Sequence, residues 1–336
     1  MTQTVGLEAI GVAIPDTVVT NADLAAENPG WRMQQTAAKA GVLERHVAAP
    51  GETSLDLASR ACEQLRGGGE LEDLGGIVFC TQTPDYVMPS NAFLLQERLG
   101  LRDEILAFDM TLACSGFVYG VAVCRGLILG GQARRILLVT ADTYSRLINP
   151  GDRSARALFG DGAAATVVAA GSARLKLVDF ELWSSGKNWR KFWVPAGGFR
   201  ERKDIRDGAV EADASGNCRT RSDIHMDGVG VWSFVNSVVP AQVNALLSRN
   251  HMGIGDVDLF VFHQASALTL DSIERLLKIP AGKSFRYLET VGNTVSASIP
   301  IALARADEQA LLVPGMRLLI AGFGVGLSAA SALVDV

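Results

Sequence analysis

Phe108-Asp109-Met110-Thr111-Leu112-Ala113-Cys114-Ser115-Gly116-Phe117 is the stretch around which the rest of the chain is organised. An apolar, strand-like run, Ile105 to Met110, gives way there to a helical pattern, Phe117 to Ile128. A cysteine sits among small residues at the junction. A thiol at a helix N-terminus is expected to be a good nucleophile, because unpaired amides and the macrodipole favour thiolate over thiol. Ala113, Ser115 and Gly116 leave room for a substrate beside the sulfur. Taken alone, the same residue also reads as a buried core cysteine, a small hydrophobe.

The composition is that of a globular chain, 336 residues with 48% hydrophobic and 20% charged, long enough for one large core or two domains. A net charge of -5 implies no broad basic surface for nucleic acid. Gly, Asp or Arg interrupts each apolar run well before the length needed to span a bilayer. Met1 to Gly6 shows neither a basic n-region nor an h-region, so no signal peptide is expected. The 5 cysteines, Cys62, Cys80, Cys114, Cys124 and Cys218, have no framework or metal-ligand spacing. The expected compartment is reducing cytoplasm. The 35 glycines suit an α/β protein with many tight strand–helix junctions.

In chain order, Leu7 to Ile14 reads as a strand and Thr20 to Leu24 as a capped helix start. Leu43 to Ala48 reads as a strand or a turn. Ser54 to Leu65 and Asn91 to Leu99 read as helices. Ile77 to Cys80 and Arg135 to Thr140 read as buried strands. Gly160-Asp161-Gly162-Ala163 reads as a tight turn into the strand Ala164 to Ala169. The second half then echoes the first. Asp256 to Gln264 resembles Leu74 to Gln82, Thr290 to Ser298 stands where Thr111 to Gly116 stood, and Met316 to Gly322 matches Ala133 to Val139. The offset is roughly 180 residues at each place, which is a duplicated domain and not a solenoid unit. The expected halves are 1–172, carrying Cys114, and 173–336, carrying His263 and Asn293. Each half is expected to form a mainly parallel sheet. Matching turns near a shared axis would bring Cys114 and Asn293, both at helix starts, to one site, with His263 arriving from a strand end. Residues 183–223, with Trp183, Trp189 and Trp193 in mixed charge, read either as an excursion over the site mouth or as a surface insertion.

Cys, His and Asn together suit acyl transfer. The thiolate takes an acyl group as a thioester, and His and Asn donate to a second thioester carbonyl as an enolate forms. Ala113-Cys114-Ser115-Gly116-Phe117, Phe159-Gly160-Asp161-Gly162-Ala163, His263-Gln264-Ala265, Gly292-Asn293-Thr294 and Gly322-Phe323-Gly324-Val325-Gly326 resemble the signatures of the β-ketoacyl-acyl-carrier-protein synthase III family, within the thiolase superfamily. The resemblance covers nearly the whole chain. It implies an α/β fold of five αβαβα layers, a thiolase-like duplication forming a homodimer. It implies a ping-pong reaction in which an acyl-CoA or acyl carrier thioester loads Cys114 and a decarboxylating malonyl thioester accepts the acyl group. No cofactor is implied beyond CoA or phosphopantetheine thioesters as substrates. By the same match, His263 and Asn293 are the enolate donors, and the N–H groups of Cys114 and Val325 form a second oxyanion hole. Phe323 lies beside the sulfur. Trp31 and Arg153 clasp the adenine and phosphates of CoA, Met88 reaches the partner's acyl pocket, and Ser266 stands at a pantetheine contact.

Three departures stand out. Val325 replaces a glycine, Ser266 an asparagine, and Leu268 an arginine associated with carrier-protein docking. They point to a member serving a specialised pathway. An acyltransferase of the same fold, esterifying a small acceptor without decarboxylation, is the nearest alternative. A non-catalytic partner subunit of a condensing complex is the alternative of another class, against which the intact Cys114 and His263 argue. A degradative thiolase would need a second cysteine in the tail from Pro314 to Val336, where there is none.

Overall fold

The computed structural model describes residues 3–171, 173–202 and 208–336. The half-boundary at 172 and residues 203–207 of the excursion lie outside the described residues. The main sheet has nine strands. These are β1 (Val5–Ala13), β2 (Gly76–Cys80), β3 (Leu106–Met110), β4 (Arg135–Asp142), β5 (Gly162–Ala170), β6 (Leu175–Ser184), β7 (Leu259–Phe262), β8 (Arg317–Gly324) and β9 (Ser328–Asp335). Their spatial order is β7-β8-β9-β6-β1-β5-β4-β2-β3. It is palindromic about the β6–β1 seam, where Gly6 pairs with Lys176 and Leu7 with Leu175. A single parallel bridge from Phe260 to Ser284 stands where β3 stands beside β2 in the first half.

The mainly parallel sheet expected from the sequence is not what forms. β2 runs parallel to β3 and β4, and β7 to β8. The remaining neighbours are antiparallel. A helical crossover is needed to lay two strands parallel, and a chain that returns directly lies antiparallel. Only Val325 to Leu327 join β8 to β9, and the link from β4 to β5 holds only short helical turns, Tyr144–Leu147 and Arg153–Arg156. The excursion also begins later than read. Trp183 and Ser184 continue β6, pairing with Ala329 and Ser328, because the sheet offers them backbone partners that a loop does not.

Six longer helices cover the sheet: α1 (Ser54–Glu63), α2 (Asn91–Leu99), α3 (Gly116–Leu129), α4 (Gly228–Arg249), α5 (Ala267–Leu277) and α6 (Ser298–Glu308). Strand alternation decides the layers. Val78, Ile136 and Leu138 face inward with Val261, Leu318 and Ile320 of the other half, around Phe117, Val118 and Val121 of α3 and Ile299, Ala302 and Leu303 of α6. Ile77, Phe79, Leu137 and Val139 face outward onto α1 and α2. Phe260, Phe262, Leu319 and Ala321 face outward onto α4 and α5. The result is five layers, αβαβα, with α3 and α6 shared in the middle.

Candidate active site

Cys114 is buried, two residues ahead of α3, in a turn closed by the Gly116 N–H donating to the Ala113 carbonyl at 2.6 Å. The end of β8 holds it from the other half. A Cβ on Gly322 would meet the Cys114 carbonyl oxygen at 2.6 Å, so that approach admits only glycine. The backbone N–H groups of Val325 and of Cys114 itself bond to the sulfur. The sequence reading expected the helix N-terminus to favour thiolate. Burial overrides it here: desolvation, with Asp142 adding to it, pushes the Cys114 thiol up to about 12 against those two backbone hydrogen bonds.

His263 follows β7, its backbone N–H donating to the Ala321 carbonyl at 2.8 Å. Its ring is fully enclosed, edge-on to Phe323 with centroids 5.5 Å apart. Burial pulls its pKa down to about 3, so the imidazole is neutral at pH 7. Its Nδ1 lies 2.7 Å from Ser298 Oγ, at the start of α6. Asn293 Nδ2 lies 3.4 Å from His263 Nε2. The Asn293 amide is oriented by two bonds: its Oδ1 accepts the Val295 N–H at 3.0 Å, and its Nδ2 donates to the Ala265 carbonyl at 3.3 Å. Val295 makes its bond from the left-handed region, φ 53°, which is unfavourable for a β-branched residue.

The Phe159-Gly160-Asp161-Gly162 motif positions Asn293. Asn293 N–H donates to the Leu158 carbonyl, and Gly160 N–H donates to the Asn293 carbonyl. A Cβ on Gly160 would meet the Val291 carbonyl oxygen at 2.2 Å. The segment is thus a clasp between halves as well as a lead-in to β5, which Gly162 already joins. Asn293 precedes α6 by five residues, with a 3₁₀ turn (Val295–Ala297) between them, and so is not itself at a helix start.

A second tie was not legible in the sequence. Asp142, at the end of β4, is fully buried and accepts from the Gln82 N–H at 2.8 Å, from Thr81, and from the Ser296 hydroxyl. Burial pushes its pKa up to about 7. It couples the strand ends below Cys114 to the segment just after Asn293.

Cys114, His263, Asn293, Phe323 and Gly324 open into one cavity of about 550 Å³. Its walls are apolar, with Phe192 from the excursion, Met226 just beyond it, and Val229, Val231 and Trp232 from the first turns of α4. None of its lining residues is charged apart from what His263 can carry. Ser266 and Leu268 line it, but the Ser266 hydroxyl caps α5 by accepting the Thr269 N–H at 3.2 Å. Trp31 and Arg153 do not line it. Trp31 packs against Leu24, Met33 and Ala157, beside the Arg153–Arg156 turn, and the Arg153 guanidinium reaches the Ser215 carbonyl at 3.5 Å. Met88 stands 77% exposed on a loop outside the cavity. Trp183 stacks on Phe234, and Trp189 meets Trp193 edge-on, so of the excursion's first aromatics only Phe192 reaches the cavity. Among the described residues no group of three His, Cys, Asp or Glu side chains is placed to hold a metal.

A buried thiol, a neutral imidazole and a tied carboxamide converging on one apolar cavity, in a duplicated five-layer fold, define a condensing enzyme of the thiolase type. Residues 108–186 match the family described as 3-oxoacyl-[acyl-carrier-protein (ACP)] synthase III, and residues 247–336 match its C-terminal part. The chain is 37% identical over 325 residues to the β-ketoacyl-[acyl-carrier-protein] synthase III of Pseudomonas aeruginosa, covering 95% of this chain and 92% of that one. It is 34% identical to a synthase III of Streptomyces coelicolor, covering 98% and 96%. A crystal structure of a 3-oxoacyl-(acyl-carrier-protein) synthase III superposes with a TM-score of 0.95 at 40% identity, covering 99% of this chain and 100% of that one. This chain belongs to the β-ketoacyl-acyl-carrier-protein synthase III family. No described helix is long and apolar enough to cross a membrane.

Proposed function

We propose that the protein joins an acyl group, carried on Cys114, to a malonyl thioester by decarboxylative Claisen condensation. The observation that carries this reading is the convergence of Asn293 Nδ2 and His263 Nε2, 3.4 Å apart, in the cavity where Cys114 lies. Two neutral donors so placed can hold one thioester oxygen. In the first half-reaction the Cys114 sulfur attacks an acyl thioester, the N–H groups of Cys114 and Val325 receive the oxyanion, the acyl–sulfur bond to the carrier breaks, and the Cys114 proton passes to the departing thiolate, which leaves as a thiol. In the second, the malonyl C–CO₂ bond breaks and CO₂ leaves. The electron pair passes into an enolate whose oxygen sits between His263 and Asn293. The enolate carbon attacks the Cys114 thioester, the C–S bond breaks, and the thiolate released takes up a proton from solvent to restore the thiol. Phe323 against His263 keeps water from the enolate.

CoA or phosphopantetheine thioesters are the substrates in this reading, with malonyl-acyl-carrier protein or malonyl-CoA as acceptor. Trp31, on the outer surface beside the Arg153 turn, is assigned to the distal part of the CoA. The capped Ser266, the exposed Leu268 and the side chain at Val325 favour a specialised pathway. The working unit is a homodimer. β3 is an edge strand with free backbone groups and half-buried Leu106, Phe108 and Met110, and Tyr86, Val87 and Met88 are 61%, 76% and 77% exposed nearby in sequence.

Intact-mass measurement after incubation with acyl-CoAs from acetyl to decanoyl tests the reading. Wild type should gain one acyl group and lose it when a malonyl thioester is added, with release of CO₂. Cys114→Ala should gain none. Asn293→Ala should load normally and fail to decarboxylate. Equal loading by wild type and Cys114→Ala would sink the mechanism. Loading followed by transfer to a hydroxyl acceptor without CO₂ would favour the esterifying acyltransferase. Absence of any adduct would favour a partner subunit.

A further inference from the structure

We infer that Ser298 sets the protonation pattern of the His263 ring, so that Nε2 carries the proton and points a donor at the substrate. The inference rests on the condensation reading above. A neutral imidazole carries one proton, on Nδ1 or on Nε2, and only the second choice gives two converging donors. With Nδ1 protonated, Nε2 would be a bare acceptor 3.4 Å from Asn293 Nδ2. It would draw the Asn293 amide proton to itself and leave the enolate oxygen facing a lone pair.

The surroundings of Ser298 decide between the two. Its Oγ lies 2.7 Å from Nδ1, and the Gln264 N–H points at the same oxygen from 3.4 Å. The residue is 2% exposed. Its own hydroxyl proton needs an acceptor, and a buried hydroxyl left without one is costly. Among the described residues, the Nδ1 lone pair is the acceptor within reach of that oxygen. If Nδ1 were protonated, the oxygen would receive two N–H groups and its own proton would have no partner. Serine donating to Nδ1 gives that hydroxyl its acceptor and leaves the ring proton on Nε2. Ser298 touches no substrate. It is a positioning residue, and it acts on the second half-reaction alone, since Cys114 loading makes no use of His263 as a donor.

Nitrogen NMR of protein labelled at its 4 histidines reads the pattern directly, with His263→Gln identifying the signal. Wild type should show a protonated Nε2 and a bare, hydrogen-bonded Nδ1 across pH 6 to 8. Ser298→Ala should load acyl groups at the wild-type rate and condense about 100-fold more slowly, the scale of a misplaced catalytic group. Ser298→Thr, which keeps the hydroxyl, should recover most of that loss. A protonated Nδ1 in wild type overturns the inference, as does Ser298→Ala condensing at the wild-type rate. Equal loss of loading and condensation, unrelieved by threonine, overturns it too, because that is the mark of general damage. If wild type proves to load without condensing, the condensation reading falls, and the NMR pattern still decides the role of Ser298.

Discussion

Gly324 faces the sulfur of Cys114: a Cβ built on Gly324 would stand 2.9 Å from both the Cβ and the Sγ of the cysteine. The two residues come from different halves, so the junction of β8 with its loop works as a stop that fixes where the thiol lies. On the same strand, Gly322 lies so close to Cys114 that a Cβ there would stand 2.6 Å from the cysteine's carbonyl oxygen.

Gly324→Ala should therefore displace the thiol and its Val325 hydrogen bond. Acyl loading is expected to fall about 100-fold, as for other small misplacements of reacting groups, while the unfolding midpoint drops only slightly. Intact-mass time courses and thermal melts measure the two effects separately. Loading at the wild-type rate would mean that the loop, and not the nucleophile, moves aside.

The thiol itself should be slow to ionise in the free enzyme. Its pKa stands near 12, so the thiolate fraction should rise about tenfold per pH unit across the neutral range. Alkylation of Cys114 by iodoacetamide should keep accelerating from pH 6 to pH 10 without a plateau. A plateau below pH 8 would show that the amides at the start of α3 outweigh burial after all.

Asp142 should make stability depend on pH with a definite sign. Its pKa is about 7 folded against 3.8 for the free side chain, so the native state holds a proton that the unfolded chain gives up first. Its contribution is fully present below about pH 4 and is lost as pH rises through 7. Asp142→Asn removes this dependence. The melting temperature of wild type should fall relative to that of Asp142→Asn between pH 5 and pH 8, and a constant gap between the two would contradict the assignment.

Met88→Asp should weaken self-association without unfolding the protomer, because the side chain is exposed in the single chain. Sedimentation over a range of concentrations should show the variant dissociating where wild type remains paired. Unchanged association would remove this loop from the interface.

The three candidate catalytic residues were legible because two sit in short runs of small residues, Ala113 to Gly116 and Gly292 to Thr294, and the third, His263, directly follows a short apolar strand. The duplication was legible because buried strands such as Ile77–Cys80 and Leu259–Phe262 share an apolar run in the same order. What lay hidden depends on contacts between distant residues. Ser298 looks like any serine opening a helix, and only folding brings it onto a ring 35 positions away. Asp142 ends a strand much as many aspartates do, and its partner Ser296 is 154 positions off. The wall formed by Val229 and Trp232 belongs to a helix whose apolar residues face both core and cavity, so periodicity could not sort them. Antiparallel pairing is hidden for a related reason: β5 and β9 are buried along nearly their whole length, and burial alone says nothing about direction.

The shared middle layer has a consequence for what can be cut from this chain. Helices α3 and α6 each touch strands of both halves. A fragment ending near residue 171 would keep α3 with one broad side bare, and the complementary fragment would keep α6 in the same state. Each piece would have the outline of a whole domain and half of its interior. Neither should be able to fold unaided, though the two mixed together could find each other by covering those bare sides.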